Sequence, residues 1–230
     1  MELFEFKDTF CCSLFKETKY NTSLKPNLLA DLFQHSFKIE CKFVAKDNGK
    51  EQWVFSKQGI INSGVYIHNN KLYFILSTSS NNINFSTNQI STIYDFEYGK
   101  EYELTYEVNV ENNTFTTSVN GDIKTNAFIN KVSDYSNVPL WIGTSNPFIE
   151  NKNYFNGIIS KFIASNNDGI ITDLDFTNVN RFKVWDKSGN GNYAYIEEFL
   201  NKKIQIRLNT IIAGSSLEAN DIKNIKQTLI

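Results

Sequence analysis

The chain has 230 residues, of which 41% are hydrophobic and 14% aromatic, enough apolar material for one large folded domain. Its 23 basic and 25 acidic residues give a formal net charge of −2, which excludes the basic field that nucleic acids and anionic membranes attract. Apolar runs stay shorter than the roughly 18 residues that span a bilayer, and the charged N-terminal segment has no apolar signal region. We therefore expect no nucleic-acid binding, no membrane insertion and synthesis in a cytoplasm.

The first clear strand begins at Phe37. Apolar and charged residues alternate from Phe37 to Phe43, which is the two-residue period of a strand with one buried face. The next segment, EQWVFSKQG, predicts a short strand that ends at Gly59. In GVYIHNNKLYFIL, two apolar runs flank Asn69 and Asn70, which predicts a hairpin with an Asn-rich turn.

Local chain reversals continue through the middle of the sequence. The segment EYELTYEVNV alternates again, and Asn112-Asn113 and Asn120-Gly121 predict two turns in the stretch that follows it. Two further strands are predicted by PLWIG and by YFNGIISKFIAS. Because nearly all connections are hairpin-sized and no helical crossovers occur, these strands predict an antiparallel sandwich.

The C-terminal segment predicts one short amphipathic helix. Ser215 and Glu218 fit a capping box at its start. Three apolar residues lie on one face of this helix: Ile222, Ile225 and Leu229. A helix this short is marginal alone, so we expect this face to dock on the sandwich or on a second copy of the helix.

The predicted division of the chain places the sandwich at residues 1–212 and the amphipathic helix at 213–230. Within the first part, residues 170–212 either form an edge extension of the sandwich or open a small separate module. We favour the edge extension, because too little chain follows for another full sandwich.

Four segments in sequence order resemble a laminin-G-like or concanavalin A-like lectin domain. They cover residues 30–165 and read FKIECKF, WVFSKQG, EYELTYEVNVENNTFTTSVNG and LWIGTSNPFIENKNYFNGIISKF. The later DKSGNGN resembles a turn that such domains often carry near their start. The resemblance implies an all-β, antiparallel jelly-roll β-sandwich of the concanavalin A type, to which the pattern adds the short C-terminal helix.

The same resemblance implies a function without catalysis. Asn-rich domains of this kind with short terminal elements resemble modules of bacteriophage tail, fibre and capsid-decoration proteins. We expect a structural or recognition protein of the virion, made in the host cytoplasm, that binds a surface glycan or other virion proteins through loops at the sandwich rim. A homo-oligomer would fit this role. The alternatives are a free-standing carbohydrate-binding or adhesion module and a glycoside hydrolase on the same fold.

No pattern in the sequence supports catalysis. Glycoside hydrolases of this fold carry an E-x-D-x-x-E strand, whereas Glu40, Glu101 and Glu103 are isolated on their predicted strands. His35 and His68 are the two histidines, and neither lies beside a strand-to-helix nucleophile turn. We therefore expect that the protein is not an enzyme.

Calcium is the cofactor that the resemblance suggests, since many such domains bind it on loops at one sandwich edge. Asp47, Asn48 and Asn146 could supply the oxygen ligands. The same residue types also form turns through local hydrogen bonds, and a repeated D-x-D-x-D-G loop is absent from the sequence. The expectation is a protein without a cofactor, with calcium as the alternative.

A mixture of aromatic and amide side chains suits sugar binding, because rings cover apolar sugar faces and amides bond to hydroxyls. The candidates for such a site are Tyr66, Asn69, Phe148, Asn151, Asn153 and Tyr154. Core packing or a solvated loop would explain the same residues. Trp53, Trp141 and Trp185 lie in or next to apolar runs, so we expect them to be mainly structural.

Overall fold

The computed structural model describes residues 5–6, 10–16, 35–57, 63–79, 88–132, 140–145, 153–180, 183–190 and 192–198. Within these ranges the chain forms β-strands and no helix. The strands are β1 (Glu5–Phe6), β2 (Phe10–Lys16), β3 (Phe37–Ala45), β4 (Gln52–Lys57), β5 (Ser63–His68), β6 (Lys71–Ser79), β7 (Asn88–Asp95), β8 (Glu101–Asn109), β9 (Thr114–Val119), β10 (Asp122–Ala127), β11 (Lys131–Val132), β12 (Leu140–Ile142), β13 (Gly157–Asn166), β14 (Gly169–Asn180), β15 (Lys183–Asp186) and β16 (Asn192–Glu198).

The strands form two antiparallel sheets packed face to face, and the predicted jelly-roll sandwich is confirmed. The first sheet has the order β10-β9-β8-β3-β13, and β1 also pairs with β13. The second sheet has the order β7-β6-β5-β4-β12-β2-β16-β15, with β11 at the end of β6. Strand β14 joins the two sheets, because its first half pairs with β13 and its second half pairs with β15.

The shared core lies between the two sheets and is rich in aromatic rings. Side chains of β3 alternate between buried and half-buried along all nine residues, as the sequence pattern predicts. Phe55 of the second sheet meets two rings of the first sheet edge-on, Tyr106 at 5.6 Å and Phe162 at 5.8 Å between centroids. Such pairs add about 0.5–1.5 kcal/mol each beyond the area that they bury.

Two tyrosine hydroxyls also cross the core. The Tyr106 hydroxyl on β8 donates to the Ile75 carbonyl on β6 at 2.8 Å. The Tyr94 hydroxyl on β7 donates to the Thr117 carbonyl on β9 at 2.9 Å. Each bond joins one sheet to the other, so these hydroxyls are satisfied inside the sandwich rather than by water.

The predicted tight turns are present. Asn69 and Asn70 both have positive φ, 48° and 56°, and they connect β5 to β6 as a two-residue hairpin turn. Asn120 and Gly121 do the same between β9 and β10, with φ of 50° and 87°. A Cβ at Gly157 would lie 2.1 Å from the Val44 carbonyl oxygen, so the backbones of β13 and β3 approach too closely here for a side chain.

The DKSGNGN turn connects β15 to β16 and is hydrogen-bonded to β14. One carboxylate oxygen of Asp186 accepts hydrogen bonds from the backbone N–H groups of Asp173 and Ser188, at 2.7 and 2.9 Å. Strands β15 and β16 continue from this turn into the second sheet, where β16 pairs with β2 along seven residues. The division at residue 212 and the predicted helix with Ile222, Ile225 and Leu229 lie outside the described residues and stay predictions.

The described part of the chain contains no helix of the length and apolar character needed to cross a membrane.

Candidate functional site

A β-bulge in β4 turns one aromatic side chain out of the core. Trp53 pairs with Tyr66 of β5, but Phe55 already pairs with Val65, so Val54 is an extra residue in β4. Val54 and Phe55 both enter the core cluster, whereas Trp53 lies on the outer face of the second sheet beside Tyr66. Tyr73 is the partner of Tyr66 on the other side, in β6.

These three residues form an aromatic ladder of Trp53, Tyr66 and Tyr73 across three neighbouring strands. The ring centroids of Trp53 and Tyr66 are 4.9 Å apart, and those of Tyr66 and Tyr73 are 4.7 Å apart with an angle of 4° between the ring planes. Because β4 and β6 flank β5, the two neighbours cover opposite faces of the Tyr66 ring. Tyr66 therefore presents its edge and its hydroxyl to solvent, not a ring face.

One end of the ladder carries a firmly held carboxylate. The Oε1 atom of Glu51 accepts hydrogen bonds from the indole N–H of Trp53 at 2.7 Å and from the amide of Asn153 at 2.6 Å. Within the described ranges no donor bonds to the Oε2 atom of Glu51. The orientation of the carboxylate is thus fixed through one oxygen, and the second oxygen can accept a hydrogen bond from a ligand.

The phenol of Tyr66 is kept in its neutral form. Burial raises the pKa of Tyr66 above its ordinary value, and the charge of Glu51 and the neighbouring Tyr73 add to the rise. The hydroxyl can therefore both donate and accept a hydrogen bond at neutral pH.

The other end of the ladder is marked by an exposed isoleucine. Tyr73 pairs across the sheet with Ile93 of β7, whose side chain is 44% exposed. The ring face of Tyr73 that points away from Tyr66 lies on this side. Tyr73 and Ile93 form an apolar patch at this end of the ladder.

A row of polar residues runs beside the ladder on the same face, where His68 pairs with Lys71 and Lys71 pairs with Asp95. The Lys71 ammonium group donates a hydrogen bond to the Asp95 carboxylate. This bond raises the pKa of Lys71 and lowers the pKa of Asp95. The positive charge of this row is therefore already matched by a carboxylate.

The structure brings two of the six predicted sugar-site residues together. Tyr66 is the middle ring of the ladder, and Asn153 bonds to the carboxylate at its end. Asn69 is an exposed turn residue next to His68. Tyr154 is only 7% exposed and packs with Trp141 in a small cluster apart from the main core, so its ring is not an open platform. Phe148 and Asn151 lie outside the described residues.

Three residues of this arrangement were not among the sequence candidates: Glu51, Trp53 and Tyr73. The signal for Trp53 and Tyr73 was the spacing of aromatic residues in adjoining strands, which a correct strand register would have placed in one row. Glu51 had no such signal. Trp53 and Trp141 are buried, as expected for structural residues, but Trp185 on β15 is 42% exposed.

Two of the three residues considered for calcium, Asp47 and Asn48, have a local structural role. Asp47 Oδ1 accepts a hydrogen bond from the Gly49 N–H at 2.9 Å, and Asn48 Oδ1 accepts one from the Lys50 N–H at 3.1 Å. Both bonds stabilise the turn after β3. Among the residues that the structure describes, no three His, Cys, Asp or Glu side chains are grouped to share a metal ion. Asn146 lies outside these residues, and calcium binding stays a prediction.

Three acidic residues on the outer face of the first sheet are paired with lysines. Lys161 lies 3.7 Å from the carboxylate of Glu40 and 3.6 Å from that of Glu103, and Lys42 lies 2.8 Å from that of Glu101. Exposed ion pairs of this kind contribute about 0–1 kcal/mol each. They make a balanced charged surface and not the pair of opposed carboxyl groups that glycoside hydrolysis uses.

The two facing antiparallel sheets, joined through β14, define a jelly-roll domain of the concanavalin A-like type. No protein-family model matches the chain, and neither does any curated protein. Solved structures do match. A Bacteroides ovatus ATCC 8483 protein assigned as carbohydrate-binding is 11% identical with a TM-score of 0.60, over 86% of this chain and 59% of that one.

Two other solved structures have lower TM-scores. The mouse laminin alpha1 chain, domains LG4-5, is 14% identical with a TM-score of 0.48, over 84% of this chain and 46% of that chain. The Ruminococcus gnavus IT-sialidase CBM40 bound to α2,3 sialyllactose is 13% identical with a TM-score of 0.47, over 71% of this chain and 88% of that chain. The chain thus spans about half the length of the laminin and Bacteroides chains, and at these identities the likeness shows the fold alone.

Proposed function

We propose that the protein is a carbohydrate-binding or adhesion module that holds a glycan on the outer face of its second sheet. The observation that carries this proposal is Glu51, whose carboxylate is fixed by two hydrogen bonds beside the aromatic ladder while one oxygen has no described protein donor. The fold supports the proposal, since the Bacteroides protein assigned as carbohydrate-binding shares it with a TM-score of 0.60.

The groups on this face match the chemistry of a sugar. Glu51 would accept a hydrogen bond from a sugar hydroxyl, and the Tyr66 hydroxyl would donate or accept another. The apolar surface of Tyr73 and Ile93 at the far end of the ladder would contact the apolar C–H face of one sugar ring. The stacked rings are already ordered, so binding would lose little side-chain entropy. None of these roles requires catalysis.

A glycan array followed by titration calorimetry tests the proposal. We expect at least one glycan to bind, and Tyr73→Ala to weaken its affinity about tenfold, which corresponds to about 1.4 kcal/mol. Ser118→Ala on the outer face of the first sheet is the control, because Ser118 is half-buried in β9 on the opposite side of the sandwich. If Tyr73→Ala leaves the glycan affinity unchanged, the binding site lies elsewhere on the protein. If no glycan binds, the proposed function is refuted.

Tyr154→Ala is a poorer probe of the same site. Tyr154 is buried against Trp141, so its removal takes away packing and lowers stability along with any effect on binding. Variants of the ladder and of Glu51 therefore come first.

A place in a bacteriophage virion, with other virion proteins as partners, is the finer proposal that the sequence resemblance supports. Size-exclusion chromatography with light scattering tests it, because most homo-oligomers are closed symmetric assemblies and the molar mass gives the number of copies. An obligate trimer or larger ring would support assembly into a particle. A monomer would support a free-standing binding module.

A further inference from the structure

On β5, β6 and β7, the outer face of the second sheet carries little positive charge that a ligand could use. Outward-facing residues of β5, β6 and β7, together with Glu51 just before β4, supply three charges: Glu51, Lys71 and Asp95. Lys71 is already bonded to Asp95. Among these residues, the charge that is left without an opposite partner is the carboxylate of Glu51. The ammonium group of Lys124, from β10, lies at the other end of the ladder, where it donates to the Ile93 carbonyl at 2.8 Å.

We propose that this face selects uncharged glycans and that Glu51 is the residue that excludes acidic ones, an inference that rests on the proposed function. A neutral sugar hydroxyl can donate to Glu51 Oε2 and form a charge-assisted hydrogen bond. A uronate or sialate in the same position brings a second negative charge against a carboxylate that two hydrogen bonds hold in place. Glu51 cannot swing away without breaking its bonds to Trp53 and Asn153, so the repulsion persists.

Glu51→Gln removes the charge of the side chain but keeps the hydrogen bonds that hold it in place. The Oε1 atom of glutamine can still accept from the Trp53 indole and the Asn153 amide, so the ladder and its anchor are kept. The amide group replaces Oε2 by a hydrogen-bond donor. The variant therefore loses the acceptor that favours a neutral hydroxyl and gains a donor that an acidic sugar can use.

The experiment compares one ligand in two charge states. The probe is a neutral oligosaccharide that binds on the array, and its partner is the same oligosaccharide with the C6 hydroxyl groups oxidised to carboxylates. Calorimetry at about 0.1 M salt, where the Debye length is about 10 Å, gives the ratio of the two affinities. We expect the wild type to prefer the neutral form about tenfold, and Glu51→Gln to bring the ratio close to one.

Glu107→Gln is the matched control. It removes the same charge from the outer face of the first sheet and should leave the ratio as in the wild type. At about 1 M salt, where the Debye length is about 3 Å, the preference of the wild type should shrink.

The possible outcomes test selection by charge separately from glycan binding. If the wild type binds the oxidised form as tightly as the neutral one, selection by charge is wrong while glycan binding stands. If Glu51→Gln and Glu107→Gln leave the same ratio, Glu51 does not set it. If neither form of any glycan binds, the proposed function and this inference both fall.

Discussion

Tyr106→Phe tests whether one buried hydroxyl stabilises the contact between the two sheets. Tyr106 on β8 is fully buried, and its hydroxyl donates to the Ile75 carbonyl at 2.8 Å. Next to it, the buried Ser63 hydroxyl oxygen of β5 accepts from the Ser77 N–H of β6 at 3.0 Å. The Tyr106 bond is thus a polar connection from the first sheet to β6 of the second.

The expected cost follows from what the substitution leaves behind. Phenylalanine keeps the ring and its edge-on contact with Phe55, so no cavity forms. The carbonyl of Ile75 loses a partner inside the core. Loss of a buried hydrogen bond of this kind costs about 1–3 kcal/mol. For a chain of this size, about 2 kcal/mol corresponds to a fall in Tm of about 4–8 °C.

Urea denaturation followed by tyrosine and tryptophan fluorescence measures this change. The midpoint should fall at an unchanged m-value, because the surface exposed on unfolding stays the same. Tyr66→Phe is the control, since that hydroxyl lies on the outer face and its loss should cost less than about 0.5 kcal/mol. If Tyr106→Phe is as stable as Tyr66→Phe, the polar connection through the core does not contribute and the reasoning is refuted.

Three further predictions concern backbone packing, pH and metal. Gly157→Ala should lower Tm far more than Gly49→Ala does. The Cβ of an alanine at 157 would lie 2.1 Å from the Val44 carbonyl oxygen, whereas a Cβ at 49 has open space. Equal losses of Tm would contradict the close approach. Burial raises the pKa of both Tyr106 and Cys41 above their ordinary values. Above about pH 9 the unfolded chain therefore releases these protons while the folded chain keeps them, so the free energy of unfolding should fall. Urea midpoints that stay constant to about pH 11 would contradict this. Tm should be the same in chelator and in added calcium, because oxygens of the turn after β3 bond to backbone N–H groups, and a rise with calcium would show a metal site.

Much of the fold could be predicted from alternation and turn chemistry. The burial of β3 follows its sequence pattern residue by residue, and the hairpin turns at Asn69-Asn70 and Asn120-Gly121 occur where the sequence predicts turns. These signals are local, because they depend on side-chain period and on backbone conformations that few residues adopt. Strand β7 has the same two-residue alternation, with Ile90, Thr92 and Tyr94 facing inward. It was not predicted, because it follows a long polar segment.

The candidate site could be predicted only in part, because it depends on register between strands. Trp53 was expected to be structural, and it is buried, yet the bulge at Val54 places it in a row with Tyr66 and Tyr73. A bulge changes which face each later residue of the strand occupies, and no single-strand period reveals it. Glu51 and Asn153 are far apart in sequence and meet only in the folded chain.

The stacking of the ladder also determines how a ligand can be recognised. A sugar platform needs an open ring face, but both faces of Tyr66 are covered by its neighbours. Specificity at the centre of this surface must therefore come from hydroxyl and carboxylate hydrogen bonds, with apolar contact limited to the side of Tyr73 and Ile93. For this reason Tyr66→Phe, which keeps the stack and removes one hydroxyl, should weaken glycan binding while leaving stability nearly unchanged. If instead Tyr66→Phe binds as the wild type does, the edge of the ladder makes no polar contact with the ligand.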